Sequence, residues 1–155
     1  MTKKTALFTS CAVNYIPKAR LLAESAKAYA PEADFWLLLG DELHPAINLA
    51  QEPFDYLKPA RELDIPNYRS WIFQHRIVEA CTAIKPFMLR WLLQQGYERV
   101  IYFDPDIVLF HTLEVIEDGF KTGSILLTPH ICEPEDGREA IEDNELNSLK
   151  HGLYN

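Results

Sequence analysis

The apolar run Phe35-Trp36-Leu37-Leu38-Leu39 predicts a strand that is covered on both faces of a sheet. A shorter strand, Ala6-Leu7-Phe8-Thr9, precedes it. Between the two, apolar and small residues recur at helical spacing, with Pro17 in the first turn and Pro31 at the end. A strand, a helix and a second strand within about 35 residues form a βαβ unit with a right-handed crossover. Gly40-Asp41-Glu42 closes this unit as a turn.

The rest of the chain alternates between strand and helix patterns. Strands are predicted near Phe54–Leu57 and over Arg99–Phe103, Ile107–Phe110 and Ser124–Thr128. Helices are predicted over Tyr68–Ala83, from Pro86 to Gly96, over Leu113–Phe120 and over Glu135–Lys150. This order predicts an α/β fold, a three-layer α/β/α sandwich around a Rossmann-like, mostly parallel sheet. No linker or internal repeat divides residues 1–155, so we expect a single domain.

Composition and charge exclude several classes of protein. The 155 residues are 48% hydrophobic and 25% charged, which is typical of a globular protein. The longest apolar run has five residues, far below the roughly 20 that span a bilayer. Fifteen basic and 23 acidic residues give a net charge of −8, which disfavours binding to nucleic acid. Three cysteines without metal-ligand spacing, Cys11, Cys81 and Cys132, favour a reducing, cytoplasmic location.

The main candidate site is Asp104-Pro105-Asp106, which follows the apolar residues Val100–Phe103. Because alternate side chains share one side of an extended chain, Asp104 and Asp106 can converge on one cation. A hard divalent ion relieves the repulsion between two carboxylates, and Mg²⁺ or Mn²⁺ leaves positions open for phosphate oxygens. A plain surface turn is the competing interpretation.

Two further segments are candidates for ligand contacts. Lys85 lies just before Pro86, at the positive end of a predicted helix, where a cation is disfavoured without a partner. Lys85 and the free N–H groups of that helix would form an anion site. The stretch Phe8–Tyr15 lies at the carboxyl end of the first strand, where small residues admit a ligand and Tyr15 could stack on a base. A plain strand-to-helix turn is the competing interpretation.

Taken together, these segments resemble nucleotide-diphospho-sugar glycosyltransferases of the A-type fold, especially the glycogenin and lipopolysaccharide galactosyltransferase-like group. The resemblance covers nearly the whole chain in order. It rests most on Thr82-Ala83-Ile84-Lys85-Pro86 and on Gly96-Tyr97-Glu98-Arg99-Val100-Ile101-Tyr102-Phe103-Asp104-Pro105-Asp106.

The resemblance implies roles for individual residues. Asp104 and Asp106 match the family's Asp-X-Asp pair, which binds Mn²⁺ or Mg²⁺ bridging the donor's two phosphates, and Asp104 also contacts the donor. Lys85 matches a basic donor contact, while Thr9, Cys11 and Tyr15 fall at the uracil pocket. The implied activity is transfer of a hexose from a nucleotide-diphospho-sugar, UDP-linked, to a saccharide or glycolipid acceptor. The implied location is the cytoplasm or the periphery of the inner face of the membrane. Donor sugar, stereochemical outcome, catalytic residue and oligomeric state stay open.

The resemblance also implies that the chain is incomplete at its C-terminus. Family members continue for roughly another half domain, which carries the acceptor pocket and a late histidine of the metal site. We therefore expect this chain to bind a donor better than it transfers one.

Two alternatives remain open. The first is a nucleotide-sugar-binding domain without catalysis. The second is a haloacid-dehalogenase-type phosphatase, in which Asp104 would be the nucleophile and Asp106 the general acid. That class normally places its motif on the first strand, whereas about two-thirds of this chain precedes Asp104.

Overall fold

A computed structural model describes residues 5–45, 47–129, 132–134 and 136–146. The chain divides into two compact units, the first ending at Thr112 and the second beginning at Leu113. The candidate residues singled out from the sequence all belong to the first unit.

The first unit is built on a parallel sheet of four strands. They are β1 (Thr5–Cys11), β2 (Asp34–Leu39), β3 (Tyr56–Pro59) and β4 (Arg99–Tyr102), in the order β3-β2-β1-β4. All three strand pairs are parallel. Leu7 of β1 is in register with Phe35 of β2 on one side and with Ile101 of β4 on the other. Among the described residues of this unit, four α-helices accompany the sheet, α1 (Ile16–Tyr29), α2 (Tyr68–Phe73), α3 (Ile77–Ala83) and α4 (Lys85–Gln94). Three short 3₁₀-helices lie over Val13–Tyr15, Leu49–Gln51 and Ala60–Glu62. The predicted α/β fold class is confirmed.

Alternation along the strands divides the core between the two faces of the sheet. Phe8 and Leu38 belong to one buried cluster together with Met88 and Leu92 of α4. The intervening side chains point to the opposite face, and α1 packs against β1 and β2 through a row of small and aliphatic residues, Ile16, Ala19, Leu22, Ala23 and Ala26. Burying one such leucine stabilises the fold by roughly 1.5–3 kcal/mol. The central strands therefore have helices on both faces, as their continuous apolar sequence predicts.

The predicted helix over Tyr68–Ala83 is instead two helices. The first ends at Phe73, and a new N-terminus forms at Arg76, whose backbone N–H donates to the Glu79 carboxylate at 2.8 Å. A capping interaction of this kind satisfies an N–H that a continuous helix would have paired internally. The next helix, α4, begins at Lys85, one residue before the predicted Pro86, and Gly96 beyond its end has φ of +90°.

The predicted strand over Ile107–Phe110 does not form. The backbone N–H of Leu109 donates to the Ser25 hydroxyl of α1 at 3.0 Å, rather than to a neighbouring strand. Leu109 is buried, whereas Phe110 is 75% exposed. A short apolar run does not show whether its backbone will form hydrogen bonds with a neighbouring strand. Here the backbone of Leu109 forms one with the Ser25 side chain of α1 instead.

The second unit contains α5 (Glu114–Gly119) and α6 (Arg138–Ala140), which continues as a π-helix over Ile141–Glu145. The predicted strand over Ser124–Thr128 is absent, because the described residues of this unit contain no second strand to pair with it. Leu126 instead packs on Gly119, where a Cβ atom would lie 2.8 Å from its Cδ1. Of the predicted helix Glu135–Lys150, Glu135 and residues 147–150 lie outside the described residues.

Among the described residues, no helix is long and apolar enough to cross a membrane.

Candidate functional site

A cleft of about 320 Å³ lies at the carboxyl ends of β1 and β4. Ligands in open α/β sheets bind at this edge, where the strands end and loops begin. Its walls come from the segment after β1, from the α3–α4 region and from the segment after β4, and include Cys11, Tyr15, Cys81, Lys85, Tyr102, Asp104 and Asp106.

Five of the six predicted site residues line this cleft, namely Cys11, Tyr15, Lys85, Asp104 and Asp106. Thr9 does not, because it lies in the middle of the sheet with no exposed surface. Its Oγ1 atom has no hydrogen-bond partner among the described atoms. Its neighbour Ser10 lines the cleft instead and donates to the Cys81 carbonyl at 2.7 Å. Thr9 thus lies too far inside β1 to reach the cleft, which Ser10 and Cys11 border at the end of the strand.

Asp104 is held by two neighbours that share one of its oxygens. The Tyr102 hydroxyl donates to Oδ1 at 2.6 Å, and Lys85 Nζ lies 3.4 Å from the same atom. The Lys85 ammonium also lies 4.0 Å from the centre of the Tyr102 ring. Burial, followed by the bond to Asp104, raises the pKa of Tyr102, so this phenol stays protonated and donates. The arrangement fixes the carboxylate and turns a cation toward the cleft.

Asp106 has a partner that the sequence did not reveal. Lys18 Nζ lies 3.8 Å from Asp106 Oδ2 and 4.4 Å from the centre of the Tyr15 ring. The contact between Lys18 and Tyr15 could have been predicted from the sequence, because residues three positions apart are neighbours on a helical turn. The contact with Asp106 spans 88 residues of chain, and no local pattern predicts it.

Asp41, interpreted from the sequence as a turn residue, anchors the segment after β1. Both of its carboxylate oxygens accept from the Val13 N–H, each at 3.2 Å. Tyr15 lies two residues further on and lines the cleft. Asp41 therefore positions the loop that carries Tyr15.

The two cysteines of the cleft are protonated thiols at neutral pH. Burial, with further contributions from Cys81 and Asp41, raises the pKa of Cys11 to about 12. Burial and Asp41 raise the pKa of Cys81 to about 11, although Lys85 opposes the shift. Since the thiolate is the nucleophilic form, neither residue is suited to covalent catalysis.

Asp104 and Asp106 both line the cleft, and carboxylate oxygens are the ligand type that Mg²⁺ and Mn²⁺ prefer. Among the described residues, Tyr102 and Lys85 both contact Oδ1 of Asp104, and the carboxylate has a second oxygen. Within the described residues, no group of three or more His, Cys, Asp or Glu side chains is arranged to hold a metal. Two carboxylates match the way proteins bind Mg²⁺, which takes its remaining ligands from water and substrate phosphates.

A second cleft, of about 420 Å³, lies beside β3 and is lined by Trp36, Tyr56 and Trp91. Its charged side chains are engaged with one another or with residues nearby, in the pairs Arg20–Glu52, Lys27–Asp55 and Lys58–Glu62. The first two pairs tie α1 to the segment that leads into β3, and the third lies within the β3 segment. The cleft at the ends of β1 and β4 is the better candidate for chemistry, because ligands of parallel α/β sheets bind at the carboxyl ends of the strands.

No protein-family model matches this chain, and a search of curated proteins finds no match either. The side chains of the cleft are thus the basis for assigning a function.

Proposed function

We propose that this cleft is the donor site of a metal-dependent glycosyltransferase. The enzyme would transfer a hexose from a nucleotide-diphospho-sugar, UDP-linked, to a saccharide or glycoconjugate acceptor. The observation that carries the proposal is the convergence of Tyr15, Lys85, Asp104 and Asp106 on one cleft. These residues come from three separate segments, and together they offer an aromatic face, a cation and a pair of carboxylates.

In this proposal Asp104 and Asp106 hold Mn²⁺ or Mg²⁺. The bound ion would supply Lewis-acid neutralisation of the charge on the nucleoside diphosphate. Tyr102 orients Asp104 through its 2.6 Å hydrogen bond. Lys85 adds a fixed positive charge at the N-terminus of α4, where free N–H groups also favour an anion.

Tyr15 is 40% exposed and borders the same cleft, so its ring is the surface on which we place the donor base. Ser10 and Ala12 are small, which leaves room for a ligand close to the backbone after β1. In the reaction, an acceptor hydroxyl attacks the anomeric carbon as the bond to the diphosphate breaks. The chain's own contribution is to bind the diphosphate and to hold it in position for that attack.

The proposal is tested by calorimetry with UDP in the presence and absence of Mn²⁺. We expect binding that requires the metal and that Asp104→Ala reduces by at least tenfold, because a ligand of the ion is lost. Asp64→Ala is the matched control, since it removes the same charge from a side chain that is 97% exposed and away from the cleft.

Metal-independent UDP binding, or binding that Asp104→Ala leaves unchanged, contradicts the proposed donor site. Hydrolysis of an aryl phosphate that requires Asp104 would instead indicate a phosphatase. Binding without transfer to any acceptor would identify a nucleotide-sugar-binding domain.

A further inference from the structure

Lys18 is a second cation beside the candidate donor cleft, where it contacts two of the lining residues, Asp106 and Tyr15. It belongs to the first turn of α1, and its ammonium joins Asp106 to the Tyr15 ring. Since Lys85 is paired with Asp104, each carboxylate of the Asp104–Asp106 pair has its own lysine. The repulsion between the two carboxylates is thus offset by protein side chains before any metal binds.

The two lysines are held to different degrees. The side chains of Lys85 and Asp104 are 22% and 28% exposed, whereas those of Lys18 and Asp106 are 51% and 56% exposed. Exposed ion pairs contribute little to stability and break at little cost. Of the two lysines, Lys18 is therefore the one that is free to change partners.

We propose that Lys18 is a donor-binding residue that transfers from Asp106 to the diphosphate when a divalent cation binds Asp106. This inference rests on the proposed function. The donor complex would engage both present partners of Lys18, since the cation would bind Asp106 and the base would stack on Tyr15. The ammonium would then lie beside the group of the donor that carries most of its negative charge. A charge-assisted hydrogen bond to phosphate is stronger than the exposed pair that it replaces.

Two affinities test this exchange, because Lys18→Met should weaken the binding of UDP and strengthen the binding of Mn²⁺. The first is UDP affinity at saturating Mn²⁺, by calorimetry. Lys18→Met should weaken UDP binding by about tenfold or more, the loss expected for one charge-assisted hydrogen bond. Lys18→Arg keeps the charge and should stay within about threefold of the unchanged protein.

The second measurement is the affinity for Mn²⁺ alone, from the electron paramagnetic resonance signal of the free ion. Because Lys18 competes with the cation for Asp106, Lys18→Met should bind Mn²⁺ about two- to fivefold more tightly without nucleotide. The matched control is Lys27→Met on the same helix. Its side chain is 45% exposed and is paired with Asp55, away from the cleft, so it should change neither affinity.

The outcomes separate the two proposals. If the unchanged protein shows no metal-dependent UDP binding, the proposed function fails, and the role of Lys18 fails with it. If the unchanged protein binds UDP and Lys18→Met binds it equally well, the role of Lys18 alone is overturned. Weakening of both UDP and Mn²⁺ binding in Lys18→Met also overturns it, because a general loss of structure would affect both in the same direction.

Discussion

The Lys85 ammonium lies 3.4 Å from the Asp104 carboxylate, and Lys85 is the first residue of α4. A cation at a helix N-terminus is disfavoured by about 0.3–1 kcal/mol. The Asp104 carboxylate and the Tyr102 ring, 4.0 Å away, offset that cost. The position of Lys85 thus contributes little net stability and is explained better by the charge that it brings to the cleft.

Lys85→Met should therefore separate stability from binding. We expect the free energy of unfolding to change by less than about 1 kcal/mol, because a weak ion pair and an unfavourable dipole interaction are lost together. UDP affinity at saturating Mn²⁺ should fall by about tenfold or more. Urea denaturation and calorimetry measure the two effects. A loss of stability of several kcal/mol with unchanged affinity would show that Lys85 is purely structural.

Tyr102→Phe should weaken the fold through Asp104. The hydroxyl donates to an ionised acceptor at 2.6 Å, and such bonds contribute about 1.5–3 kcal/mol when they are shielded from water. The partial exposure of Asp104 places our expectation at the low end of that range. In a double-mutant cycle with Asp104→Ala, the two losses should not add, since each change removes the same hydrogen bond. Additive losses in urea denaturation would exclude the coupling.

The fold was largely predictable from the sequence where the local pattern of apolar residues was compatible with a single type of secondary structure. The two central strands and α1 follow directly from a continuous apolar run, a helical repeat and the flanking prolines. Ile107–Phe110 and Ser124–Thr128 have the same short apolar character but do not form strands, because pairing depends on neighbours far along the chain.

The candidate site was predictable to the same extent. Lys85, Asp104 and Asp106 were found because each sits at the junction of a buried element and a turn. Lys18 and Asp41 were missed as site residues because their contacts, with Asp106 and Val13, exist only after the chain has folded. The resemblance implies that Thr9 falls at the donor pocket, whereas Thr9 is buried within β1 and Ser10 lines the cleft.

Stability should fall at alkaline pH. The unfolded thiols ionise near pH 9, whereas the folded pKa of Cys81 is about 11 and that of Cys11 is about 12. Between these values the unfolded state has released protons that the folded state retains, so the free energy of unfolding decreases as the pH rises. The expected slope is up to about 1.4 kcal/mol per pH unit for each thiol.

In Cys11→Ala, the free energy of unfolding should decrease less steeply with pH between pH 8.5 and 11, as measured by urea denaturation. This holds whatever the effect of the substitution on the stability at neutral pH. Cys132→Ser is the control, because Cys132 is exposed and should leave the slope unchanged. An equal slope in the Cys11→Ala variant would mean that Cys11 ionises in the folded protein as readily as in the unfolded chain.

Asp41→Ala should loosen the segment that carries Tyr15. Its carboxylate accepts from the Val13 N–H with both oxygens, and losing this bond should cost about 1 kcal/mol in unfolding free energy. The same carboxylate raises the pKa of Cys81, so its removal should lower that pKa and speed alkylation of Cys81 at pH 8–9, measured by mass spectrometry. UDP affinity should fall several-fold, because Tyr15 is no longer held in position.

Glu42→Ala is the matched control, since Glu42 pairs with Arg61 at the surface and does not contact Val13. If Asp41→Ala and Glu42→Ala alkylate Cys81 equally fast and bind UDP equally well, Asp41 does not position the loop.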